Sequence, residues 1–271
     1  MTPPRILIIA GSDSGGGAGI QADIKTVTML GGFAMTAITA ITAQNTLGVT
    51  DVLPIPVPMV LEQMDAVTGD LGVDAVKIGM IGSAETVHAV AERLERLAGI
   101  PIVFDPVMIA TSGAALASEE TIAAFERLMA GAALVTPNTP ELEALSGRSI
   151  ATVEEAETAA LALARRTGSA ILAKGGHLAG ATLIDLLVEP DGKVHRWEQQ
   201  RIDTRHSHGT GCTLASASAC GLGEGLPLAD AVERARAYVR AALEAAPGFG
   251  QGHGPMGHGL GAVPFESVRK P

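Results

Sequence analysis

The feature that most constrains this chain is a series of short apolar runs with no polar alternation. Arg5-Ile6-Leu7-Ile8-Ile9-Ala10 is the first; Ala34 to Ala43, Ala75 to Met80, Ile100 to Phe104, Ala133 to Val135 and Ala170 to Ala173 follow. A strand with one solvent face alternates, whereas a strand covered on both faces stays apolar throughout. Helical segments separate the runs. One begins near Ile20 and stops at Gly31-Gly32, and another begins near Met59. Ser83 can cap a third, in which Val87, Val90, Leu94 and Leu97 recur at helical spacing up to Gly99. Ser118 starts a fourth, and Thr152 with Glu155 forms the capping box of a fifth that closes at Gly168.

Buried strands alternating with helices predict an α/β fold, a doubly wound and mostly parallel sheet flanked by helices. Leu183 to Val188 and Val194 to Trp197 flank Pro190-Asp191-Gly192, which predicts a late antiparallel hairpin. Pro54-Ile55-Pro56-Val57-Pro58 reads as an extended connector, since proline suits neither a central strand nor a helix interior. Two helices, an Ala/Ser/Leu segment after the turn at His208 to Thr213 that runs through about Leu222 and another from about Pro227 to Ala246, precede a glycine-rich loop over Gly248 to Gly261. Neither a linker nor a repeat divides the chain, so residues 1–271 are expected to form one domain.

Only 3% of residues are aromatic although 47% are hydrophobic, so the core must be built from Ala, Val, Ile and Leu. A net charge of −10 argues against nucleic acid or an anionic membrane as partner. Cys212 and Cys220 fall on one helix, about 12 Å apart along its axis, too far for a disulfide. Reduced thiols suit a reducing compartment. Met1-Thr2-Pro3-Pro4-Arg5 resembles neither a signal peptide nor a membrane span. The chain is therefore expected in the cytoplasm.

In a sheet of this kind, ligands bind beyond the carboxyl ends of the strands. Asp105, Asn138, Glu141 and Lys174 all follow predicted strand ends, as does the glycine loop Gly11 to Gly19. Its glycines fit neither the dinucleotide fingerprint nor the Walker-type loop. His208-Gly209-Thr210-Gly211-Cys212-Thr213 runs directly into a helix. Bare N–H groups and the helix dipole at such a start attract an anion, and a thiol there is expected to favour its thiolate. Each residue also has a plainer reading: Asp105 as a turn residue, Asn138 as a helix cap, Lys174 as a solvated strand end, Cys212 as a small packing group. Their shared rim favours the functional reading. Gly209 to Cys212 can neutralise phosphoryl oxygens, Lys174 supplies a point cation, and Asp105 and Glu141 are hard oxygen groups suited to Mg²⁺. That inventory is what phosphoryl transfer needs.

With these residues in place, the chain resembles the ribokinase-like superfamily, and within it the hydroxymethylpyrimidine/phosphomethylpyrimidine kinase family of thiamine biosynthesis. The resemblance rests on Ile9 to Asp23, Thr42-Ala43-Gln44-Asn45-Thr46, Lys77-Ile78-Gly79-Met80, Asp105-Pro106-Val107-Met108, Thr136 to Glu141, Lys174-Gly175-Gly176-His177 and His208 to Thr213. It implies an ATP- and Mg²⁺-dependent kinase whose small-molecule substrate is an aminopyrimidine. It further implies that Gln44 binds the aminopyrimidine edge, with Gly11, Ala18, Asp23, Met80 and Val107 shaping the pocket. By the same resemblance Asn138 and Glu141 act on Mg²⁺ and phosphates, Lys174 and Thr210 lie by the nucleotide, and Cys212 replaces the superfamily's aspartate base.

Cys212 could accept a proton or merely position the hydroxyl. His206-Ser207 stands where relatives often carry Asn-Thr, and leaves the glycines of the turn intact. His253 and His258 read as loop residues rather than metal ligands. Pyridoxal or pyridoxine kinase activity and a non-catalytic pyrimidine-binding role are the competing readings. Sheet-edge dimers are common in the superfamily, which makes a homodimer an expectation.

Overall fold

The computed structural model describes residues 2–109, 113, 116–178 and 180–262. Strands β1 (Arg5–Asp13), β2 (Phe33–Gln44), β3 (Val49–Pro54), β4 (Ala75–Ile78), β5 (Ile102–Phe104), β6 (Leu134–Val135), β7 (Ala170–Ala173), β8 (Thr182–Val188) and β9 (Val194–Gln200) form one sheet. The order among the described residues is β3-β2-β1-β4-β5-β6-β7-β8-β9. From β2 to β7 the pairs are parallel, while β3 at one edge and β8 and β9 at the other run antiparallel. The doubly wound sheet and its late hairpin match the sequence reading.

Helices α1 (Gly19–Met29), α2 (Val57–Asp70), α3 (Ala84–Leu94), α4 (Glu119–Met129), α5 (Thr139–Ser146), α6 (Val153–Thr167), α7 (Thr210–Gly223) and α8 (Leu228–Glu244) cover both faces. β1 shows why its run had to be apolar. Ile6, Ile8 and Ala10 pack beneath α1, α7 and α8, and Leu7 and Ile9 pack on the opposite side with α2 to α6. Ser83 and Ser118 accept the N–H of Thr86 and Thr121, each at 3.2 Å, and Thr152 with Glu155 closes a full capping box.

The proline segment differs from the expectation. Val49–Pro54 is an edge strand paired antiparallel with β2, and Pro54 is tolerated because it ends that strand. Pro56 is then the N-cap of α2, which starts at Val57, and Pro58 falls in its first turn, where no intrahelical N–H is needed. The connector is thus only the junction between two elements.

Candidate active site

The parallel strands β1, β4, β5, β6 and β7 all end at the same rim, and ladder bonds continue past each end. Gly79 N–H donates to Ile9 O, Asp105 N–H to Ile78 O and Thr136 N–H to Phe104 O, each at 2.9 Å. Lys174 N–H donates to Pro137 O at 3.0 Å. The main chain therefore fixes Asp105, Asn138 and Lys174 side by side before their side chains are considered.

Lys174 Nζ donates to Asp105 Oδ1 at 3.0 Å and lies 3.9 Å from Glu141 Oε2. Thr136 Oγ1 donates to the same Asp105 oxygen at 2.9 Å. Asn138 and Glu141 form the capping box of α5, each side chain accepting the other's backbone N–H at 2.9 and 2.8 Å. The plain capping role of Asn138 is thus present, at the edge of the cleft. Burial pushes the Glu141 carboxyl up to about 7; Lys174 opposes the shift and Asp105 adds to it. Burial would discharge Lys174, but Asp105 and Glu141 outweigh it and raise its pKa.

The second glycine turn faces this cluster. Gly209 is the N-cap of α7 at φ 86°, a left-handed conformation that glycine adopts without strain. A Cβ there would also collide with Gly17 O, so the two glycine loops touch through backbone. Thr210 N–H is used by Ser207 O at 3.3 Å, which leaves the next N–H groups of the first turn, at Gly211 and Cys212, without intrahelical partners. Any Cβ on Gly211 would lie 3.2 Å from Lys174 Nζ and 3.3 Å from Asp105 Oδ2. The start of α7 thus sits directly over the Lys174 ammonium and the Asp105 carboxylate.

An open cleft of about 1250 Å³ runs along this rim. Gly11, Ala18, Gln44, Met80, Val107, Asp105, Asn138, Glu141, Lys174 and Gly209 to Cys212 all line it. Asp23 does not. Its carboxylate stands behind the wall, fully buried, with Oδ2 bonded to Lys77 Nζ at 2.9 Å and Oδ1 accepting from Ser216 at 2.7 Å. Asp23 and Ser216 lie one turn in from Gly19 and Cys212, so the pair sits beneath the starts of both α1 and α7.

Cys212 departs from the thiolate expectation. Burial pushes its thiol up to about 11; nearby Lys77 and the Gly19 N–H lower it, while Asp23 and Asp105 work with burial. A helix start favours a thiolate only where the thiol is not itself desolvated among carboxylates. His253 lines the cleft, while His258 is buried and bonds Thr213 Oγ1 through Nε2 at 2.9 Å. Among the described residues, no group of three or more His, Cys, Asp or Glu side chains could hold a metal ion.

The sequence reading missed several polar groups at the cleft. Lys77, a lysine within an apolar strand run, was the most visible signal. Asp13 accepts the N–H groups of Gly15, Gly17 and Ala18 at 2.8, 3.0 and 2.8 Å and so shapes the first glycine loop. His208 Nε2 lies 3.0 Å from Asp13 Oδ2 and 3.2 Å from Gln44 Nε2. Asp185 accepts Gly175 N–H at 3.0 Å and Arg236 Nε at 2.7 Å, which anchors the turn after Lys174. Those last contacts are non-local and carried no sequence signal.

Residues 13–257 match the family model described as phosphomethylpyrimidine kinase. A hydroxymethylpyrimidine/phosphomethylpyrimidine kinase of Rhizobium meliloti is 52% identical over 93% of this chain and 96% of its own length. The thiamine biosynthesis bifunctional protein ThiED of Geobacter sulfurreducens is 46% identical over 97% of this chain, which spans 53% of that longer protein. Among solved structures, an ADP complex of Bacillus subtilis pyridoxal kinase superposes with a TM-score of 0.88 at 31% identity, over 96% of this chain and 98% of its own. Phosphomethylpyrimidine kinase from Clostridium difficile 630 gives 0.77 at 37% identity, over 89% and 99%. Fold, rim and sequence agree along nearly the whole length: the chain belongs to the phosphomethylpyrimidine kinase family.

Proposed function

We propose that this protein transfers the γ-phosphoryl group of ATP to the hydroxymethyl oxygen of 4-amino-5-hydroxymethyl-2-methylpyrimidine, and then phosphorylates the monophosphate to the diphosphate, in thiamine biosynthesis. The observation that carries this reading is the meeting, in one cleft, of the Gln44 amide with the Asp105–Lys174 pair under the start of α7. An amide donates and accepts at once, which suits an aminopyrimidine edge. The Gly211 and Cys212 N–H groups and the Lys174 ammonium supply positive charge where a phosphoryl group develops negative charge. The ADP bound to the matching pyridoxal kinase supports ATP as the donor.

Asp105 and Glu141 would hold Mg²⁺. Two carboxylates and no larger protein cage suit an ion that keeps several waters and binds phosphate oxygens, and it would neutralise charge on the phosphates. A Glu141 carboxyl raised to about 7 fits a site completed by a cation.

Cys212, protonated in the resting protein, orients the substrate hydroxyl rather than waiting as a thiolate. A loose phosphoryl-transfer transition state needs the hydroxyl proton removed only late, so positioning suffices. Exposed Ile41, Val52 and Leu53 along the β2–β3 edge support a homodimer through that edge. No helix among the described residues is long and apolar enough to cross a membrane, and free thiols suit a reducing cytoplasm.

Pyridoxal phosphorylation is the second reading, favoured by the 0.88 superposition on a pyridoxal kinase. The 52% identity to a pyrimidine kinase outweighs it. Replacing Gln44 by Ala separates the two: KM for the aminopyrimidine rises far more than KM for pyridoxal if the first reading holds. An equal rise in both would favour the second.

A further inference from the structure

Gln44 and His208 meet in a way that only one orientation of the amide can satisfy. With Gln44 Nε2 toward His208, the ring Nε2 would have to accept an N–H at 3.2 Å while facing the Asp13 carboxylate at 3.0 Å. That carboxylate is ionised. Burial alone would raise its pKa, but His208 and the N–H groups of Ala18 and Gly15 outweigh burial and lower it. An ionised carboxylate only accepts, so the His208 Nε2 must carry a proton and donate it. The other end of the amide has the same difficulty. Thr42 Oγ1 has one proton, and Ser12 O at 2.9 Å and Gln44 Oε1 at 3.2 Å both call for it.

Turning the amide by half a revolution resolves both ends. His208 Nε2–H then donates to Asp13 Oδ2 and is shared with Gln44 Oε1. Gln44 Nε2–H donates to Thr42 Oγ1, whose own proton goes to Ser12 O. Amide nitrogen and oxygen are distinguished by their partners, not by shape.

We infer that His208 is a specificity-determining residue that fixes the Gln44 amide with its oxygen toward the α7 turn and its nitrogen toward Thr42 of β2, and so sets the direction in which the aminopyrimidine is seated. This rests on the pyrimidine-kinase reading. In the fixed orientation Gln44 still offers one N–H on the Thr42 side and one lone pair on the His208 side. An aminopyrimidine answers with its ring N3 to the N–H and its 4-amino group to the oxygen. The 4-amino group therefore points toward His208. The 5-hydroxymethyl group is its neighbour on the ring, on the side away from N3, and is carried on toward Gly209 and Cys212. The opposite amide would send it away from the phosphoryl-transfer turn.

The 4-oxo counterpart of the substrate, with a carbonyl at C4 and a hydrogen on N3, presents the reversed pattern and tests this directly. Wild-type protein is expected to favour the 4-amino compound over the 4-oxo compound by at least about 100-fold in kcat/KM, because rejection leaves buried polar groups unpaired. His208→Phe, which removes the donor, is expected to cut that preference at least about tenfold, and His208→Gln, which keeps an N–H, to retain part of it, with KM for ATP unmoved. A wild-type preference below about tenfold overturns the inference whether or not the variants fold. So does a folded His208→Phe that keeps the full wild-type preference. If wild-type protein forms ADP with neither pyrimidine, the kinase reading itself falls, and the inference with it.

Discussion

The Lys77 ammonium lies 2.9 Å from Asp23 Oδ2, and neither side chain has any exposure to solvent. The pair ties β4 to α1, and the Ser216 hydroxyl adds α7 through the other Asp23 oxygen. Burial opposes the Lys77 charge, but Asp23, with Cys212 and Asp105 beyond it, outweighs burial and raises its pKa. Removing one partner strands the other charge in the interior. Lys77→Met and Asp23→Asn should each lower unfolding free energy by about 3–5 kcal/mol, read from urea unfolding. A loss under about 1 kcal/mol for both would show that the pair is not the buried clamp described here.

Gly209 has no tolerable substitute. Its φ of 86° and the closeness of Gly17 O both exclude a Cβ. Gly209→Ala should reduce kcat at least about 100-fold, because the α7 N–H groups move off the transferring phosphoryl group. The fold should survive, since the strain is local. Steady-state kinetics beside a thermal melt checks both halves; near-normal kcat would contradict the role given to this turn.

The Cys212 thiol should titrate late. With its pKa raised to about 11, iodoacetamide labelling in a Cys220→Ser background should still be accelerating above about pH 9. A plateau near neutral pH would mean a standing thiolate, and Cys212 would then return as the base. Cys220 itself is fully buried and adds little background.

Glu141 makes stability depend on pH with a definite sign. Its folded pKa of about 7 exceeds the ordinary 4.5, so between those values the folded chain binds more protons than the unfolded one. Stability from this group is present below about pH 4.5 and is lost as pH rises to about 7. Glu141→Gln cannot ionise. Its urea midpoint should gain on that of wild-type protein as pH rises through this interval, measured without Mg²⁺. A gap that stays constant would contradict the assigned burial.

Much of this was legible in the chain itself. The unbroken apolar runs could only be strands covered on both sides, and such strands place whatever follows them on one rim. Asp105, Asn138, Glu141 and Lys174 were found by that rule alone. β3 was not, because it runs into the proline segment at Pro54 and is an edge strand that only its pairing with β2 defines. The resemblance set Asp23 in the substrate pocket, whereas Lys77 and Ser216 take up both its oxygens behind the wall. The upward shift of the Cys212 thiol was not legible from its place on the helix, since it comes from burial and from Asp23 and Asp105, which arrive on α1 and just beyond β5. The Asp13–His208 contact joins residues 195 apart in sequence, and neither neighbourhood contains a hint of the other.

The central claim is that this cleft phosphorylates a pyrimidine hydroxymethyl group. Its most direct test offers equal concentrations of the aminopyrimidine, pyridoxal and ribose in one vessel with ATP and Mg²⁺, and identifies the products by mass spectrometry. The account predicts aminopyrimidine monophosphate first, then diphosphate, with ADP formed in step. Pyridoxal phosphate as the main product, or bound pyrimidine with no phosphate ester and no ADP, would contradict it.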